Sequence, residues 1–232
     1  MNARHQMLCT WSGPVFVAVF TIGFWWLAHY LPPPSPNASA ADITALYQQN
    51  TGQIRLGMLL MMACSGLVAP FVAVIAVQMK RMEGGAGVLT YTQLSAGTVG
   101  MLFLILPALL WTVAAFRPER DPNLILLLND LGWIFFLMPF GSFVVQNLAI
   151  GIAILAHTGP HVFPRWAGYF NLWVAVLFIP GGLLTFFKTG PFAWDGLFVF
   201  WVPLVVFFLW YGAMFVLLRQ AIARTAPAGA AA

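Results

Sequence analysis

The stretch from Asp121 to Ala156, DPNLILLLNDLGWIFFLMPFGSFVVQNLAIGIAILA, limits the fold more than any other part of the chain. It is too apolar for water. As one straight helix it would run about 54 Å, against a bilayer hydrocarbon core of roughly 30 Å. It must therefore tilt, bend or lie partly along the surface. Pro139 with Gly141 marks the expected bend, because proline supplies no amide donor and crowds the preceding turn. Inside the stretch lie Asn129, Asp130, Gln146 and Asn147. A carboxylate at mid-bilayer costs roughly 3 kcal/mol or more and needs a partner or water, so Asp130 is the first candidate for function.

Composition agrees with a membrane chain. Of 232 residues, 61% are hydrophobic and only 7% are charged, far outside the range for a soluble domain. The expected fold is all-α, a polytopic membrane protein of six transmembrane helices with a short interfacial helix after the first. Nothing reads as the alternating ten-residue strands of a barrel. The expected spans are about 11–31, 54–78, 92–116, 124–156, 166–187 and 196–218, forming a single domain over 1–225, with a disordered tail at 226–232. Arg4 and His5 before the first apolar run, with Ala38-Ser39-Ala40 after it, imitate a secretory signal, but the run is as long as a true span. Pro32, Pro33, Pro34 and Pro36 end it. Ser39 with Asp42 three residues on resembles a capping pair, and Ile43, Leu46 and Tyr47 share one face, so a helix is expected over about 40–49.

Ten Lys and Arg face six Asp and Glu, thinly spread. No basic stripe exists to follow phosphates, so nucleic acid is not an expected partner. The N-terminal side carries Arg4, Lys80, Arg81, Arg165, Arg219 and Arg224, against Arg55, Arg117, Arg120 and Lys188 on the other. That asymmetry places both termini in the cytoplasm, with the cell (inner) membrane as the expected location.

The expected functional set is a substrate or ion path of Asp130, Lys188, Asp195, Arg55, Gln146, Asn147 and Asn171. Two cations and two carboxylates at the far side can neutralise one another in a shared vestibule. The alternative is that Arg55, Lys188 and Asp195 are interfacial anchors, and that the three amides join helix to helix. His157 and His161 have a metal-ligand spacing, but Gly159-Pro160 between them favours a loop, and no metal or cofactor is expected. No HExxH, GxSxG or phosphate loop appears, and no catalytic residue is assigned. The expected function is passage of a small solute or ion past Asp130, channel-like or transporter-like, in a homo-oligomer or with another membrane subunit. The alternatives are an accessory subunit or one holding a lipid-like ligand among its aromatics, and, third, an intramembrane enzyme acting on an apolar substrate.

Overall fold

The computed structural model describes residues 3–85 and 87–224, and it is helical throughout its regular structure. The small-residue tail after Arg224 lies outside the described residues. Among the described residues, six helices are long and apolar enough to cross a bilayer: Ala3–Leu27, Thr51–Met82, Val88–Phe116, Pro122–Ala156, Arg165–Leu183 and Leu197–Ala223. They are the first to sixth spans below. The first begins at Ala3, earlier than its apolar run, because Arg4, His5 and Gln6 continue the helix beyond the hydrophobic stretch. It stops at Leu27, where His29 takes a left-handed φ of 58° and turns the chain away.

The interfacial helix occupies Ala40–Gln49 and starts at the capping pair read from the sequence. The Ser39 hydroxyl accepts from the Asp42 amide at 3.2 Å, and the Asp42 carboxylate accepts from the Ser39 amide at 3.2 Å. Each satisfies a donor that a helix start would leave open. Its inner face buries Ile43 and Tyr47 against the fourth span. The fourth span is capped in its turn by Asp121, whose carboxylate accepts from the Asn123 amide at 2.8 Å, with Pro122 at the first helical position. Glu83 does the same for the third span, accepting from the amides of Leu89 at 3.2 Å and Thr90 at 2.7 Å.

All six spans are interrupted. The first widens over Ile22–Leu27, where the Ala28 amide reaches back five residues to the Gly23 carbonyl. The second breaks at Gly66-Leu67, one turn ahead of Pro70, and the third at Gly100-Met101. Pro107 stays within the continuing helix, so the third span bends at its glycine and not at its proline. The fourth bends at Met138–Phe140 beside Pro139. The fifth tightens over Ile179–Leu183, through Pro180-Gly181-Gly182, and the sixth opens with a widened turn over Leu197–Trp201 before Pro203.

The spans stand in a ring in chain order, each packed chiefly on its sequence neighbours, and the sixth returns to pack on the first. The seam between third and fourth is the most extensive; that between fifth and sixth is the sparsest. At the seam of the first and second spans the backbones nearly touch, since a Cβ at Gly23 would lie 2.7 Å from the Gly57 carbonyl oxygen. Close approach of this kind is what small residues allow between membrane helices. The helix Val68–Met82 leans inward and fills the ring's N-terminal side with Phe71, Val72, Ile75 and Met79. The far side is filled by an aromatic cluster of Phe24, Tyr30, Trp111, Trp133 and Phe136, with the Tyr30 and Trp111 rings 4.7 Å apart.

Candidate functional site

Between those two plugs, beside the breaks of the second to sixth spans, lies a cavity of about 130 Å³. Every span contributes to its wall: Phe16 and Phe20 from the first, Val68 and Val72 from the second, Gly97 to Leu104 from the third, Phe136 to Gln146 from the fourth, Phe178 and Gly181 from the fifth, Val199 to Tyr211 from the sixth. Its position follows from the breaks, because a helix that bends carries side chains outward on one side of the bend and leaves space on the other. Phenylalanine dominates the wall, and Gln146 and Tyr211 are its only polar side chains. A cavity of similar size, about 150 Å³, lined by Leu, Ile and Phe stays dry and admits benzene.

Gln146 is 3% exposed, and its Nε2 has no hydrogen-bond partner among the described residues. It fits its place because Gly97 faces it: a Cβ there would lie 2.7 Å from the Gln146 Nε2. Asn147, beside it, donates to the Phe143 carbonyl at 2.9 Å and leaves its Oδ1 unpartnered. Asn171 is used completely. It donates to the Ala167 carbonyl at 2.8 Å and accepts from the Trp210 indole at 3.0 Å, joining the fifth span to the sixth.

Asp130 is half-buried on the far side of the aromatic cluster and does not line the cavity. It ends a directed chain of hydrogen bonds. Tyr30 donates to the Tyr47 hydroxyl at 2.9 Å, Tyr47 to the Asn129 Oδ1 at 3.4 Å, and the Asn129 amide to the Asp130 carboxylate at 3.4 Å. Tyr30, Tyr47 and Asn129 are fully buried. Burial holds both phenols well above their ordinary value, with the neighbouring Tyr47 adding to the shift at Tyr30, so both remain protonated donors.

The four charges read as a vestibule are not joined by ion pairs among the described residues. Arg55 donates to the Ala115 carbonyl at 3.0 Å and the Phe116 carbonyl at 2.9 Å, closing the end of the third span as a cation at a helix C-terminus does. Lys188 is exposed; its charge is felt at Asp130 without an ion pair, and its own carbonyl accepts from Asn37 at 2.9 Å. Asp195 is half-buried in the last far-side loop, and burial raises its carboxyl above the ordinary value. Among the described residues no ion pair within 4 Å is formed by Arg55, Lys188, Asp130 or Asp195. His157 is held in its loop by the Met82 carbonyl at 3.0 Å and the Pro160 carbonyl at 3.1 Å.

Two features escaped the sequence reading. Gln93, buried in the third span, donates to the Val72 carbonyl at 3.4 Å and leaves its Oε1 unpartnered. Placing the span at 92 puts Gln93 at the surface; the helix begins at Val88, and the amide lies more than a turn inside. The Tyr30–Tyr47 pair joins a loop to the interfacial helix, and no local pattern signals such a long-range bond.

A ring of six interrupted apolar helices around a phenylalanine-lined space defines a multi-pass integral membrane protein. No protein-family model, curated protein or solved structure matches this chain.

Proposed function

We propose that this protein binds a small lipophilic molecule within the bilayer, in the cavity at the centre of its helix ring. The single observation that carries the proposal is a central space walled by all six spans and lined almost wholly by apolar side chains. A dedicated solute pore would require polar groups along its length; among the described residues only Gln146 and Tyr211 put polar side chains on this wall. The sparse seam between the fifth and sixth spans offers an apolar molecule a lateral route from lipid, since Phe178, Gly181, Pro203 and Leu204 all lie on the wall beside it. A role as an accessory subunit holding such a molecule belongs to the same proposal.

The test is a cavity-filling substitution. Val199 is buried on the wall, and Val199→Phe adds a ring that occupies the space a ligand would take. Protein purified in mild detergent should lose its co-purifying lipophile, read by native mass spectrometry, while its melting temperature stays level or rises as the void is filled. Retention of the same molecule by the variant would exclude the cavity as its site.

A second proposal, passage of a small solute or ion past Asp130, draws support from the half-buried carboxylate and the buried hydrogen-bonded chain that ends on it.

A further inference from the structure

We propose that the cavity recognises its lipophile by a neutral hydroxyl group, which the Gln146 amide holds with Gln93 contributing from one helical turn away. The proposal rests on the cavity being a binding site and adds what the ligand must carry. Among the described residues, no Lys, Arg, His, Asp or Glu lines the wall. A charged head group would enter without a counter-ion, and the cost of that excludes acids, amines and phosphates as occupants. A pure hydrocarbon would leave the Gln146 Nε2 buried and unpartnered, which is costly for a primary amide.

The surrounding geometry provides for the amide. With no side chain at Gly97 there is a slot between the third and fourth spans, where a Cβ would meet both the Gln146 Nε2 at 2.7 Å and the Val72 Cγ1 at 2.7 Å. Gln93, one turn before Gly97 and behind the cavity wall, spends its Nε2 on the Val72 carbonyl at 3.4 Å and leaves its Oε1 unpartnered among the described residues. An unpartnered donor on the wall and an unpartnered acceptor behind it therefore both neighbour Val72. A hydroxyl group both accepts and donates, so it matches this pair. It also suits Gln146 whichever way the nitrogen and oxygen of its amide are turned. A carbonyl or ether oxygen would serve only the donor.

The probes are p-cresol and p-xylene, single rings of nearly equal volume that differ by a hydroxyl in place of a methyl. Calorimetric titration of the purified full-length protein compares them in the wild type, Gln146→Met, Gln93→Met and Val199→Phe. We expect Gln146→Met to weaken p-cresol binding about tenfold, the loss of one hydrogen bond from a buried site, with p-xylene unchanged. Gln93→Met should act in the same direction. Melting temperatures report folding, and both variants should hold or gain because an unpartnered buried amide atom is removed. Should Gln146→Met not fold, the Gln93→Met result and the wild-type preference for p-cresol decide, with Val199→Phe as the blank for detergent partitioning. Equal losses for both probes, or p-cresol binding untouched in both amide variants, would overturn hydroxyl recognition and leave the cavity as a binding site. Binding of neither probe above the Val199→Phe blank would overturn the binding site itself.

Discussion

At the scale of the residue, Asp130 and Asn171 show how differently two polar side chains within spans can be treated. Asn171 has every strong bond it needs from Ala167 and Trp210, which makes it a cross-link between helices. Asp130 receives one long bond from Asn129 at 3.4 Å, with Lys188 in electrostatic range but unpaired. A carboxylate left so nearly unpartnered is available to something else. If solute passes this point, Asp130→Asn should abolish flux in proteoliposomes while leaving the protein monodisperse in detergent; full activity in the variant would exclude that path. Asp130 could be singled out from sequence because its charge is conspicuous in an apolar run. Arg55 could not be placed so well, since hydropathy cannot say whether an interfacial cation meets a carboxylate or a helix end. Here the free carbonyls of Ala115 and Phe116 took it.

At the scale of the element, local chemistry set the boundaries wherever it was strong. The interfacial helix begins at Ala40 because Ser39 and Asp42 satisfy each other's amides. Ser39→Ala should cost about 1 kcal/mol of helix stability. The acid dependence follows from the same contact. The Asp42 carboxyl lies below its ordinary value of 3.8, chiefly through the Ser39 hydroxyl and then the Ser39 amide. Its contribution is therefore complete above 3.8 and is lost as pH falls through the lowered value. Hydrogen-exchange protection at residues 43–47 should drop between pH 5 and pH 2.5 in the wild type. In Ser39→Ala it should be low throughout and respond less to acid. Pro139 with Gly141 likewise foretold the break in the fourth span. The break at Gly100 and the widened turns at Ile22–Leu27 and Leu197–Trp201 contain no proline and carry no comparable mark. The all-helical, six-span architecture was legible in the sequence. The cavity was not, as it arises where interruptions in several spans meet, and those spans come together only in the packed ring.

At the scale of the whole molecule, most spatial neighbours are also neighbours along the chain. The main long-range links are the return of the sixth span to the first and the packing of the interfacial helix on the fourth. The link at 157–164 can then be cut without separating elements that depend on its continuity, because the broad seam between fourth and fifth spans holds the two sides together. Fragments 1–159 and 160–232, expressed together, should co-purify as one complex under affinity selection of either. Recovery of the tagged fragment alone would show that the seam needs the covalent link.

The return of the sixth span to the first also sets an order of assembly. During synthesis the Phe16 and Phe20 flank of the first span waits for Phe207 of the sixth, which is made after every span between them. Until then the half-built arc is open along one edge, and that edge faces the surrounding acyl chains. A lipophile held as proposed can therefore be taken up while the protein is being made, before the ring closes.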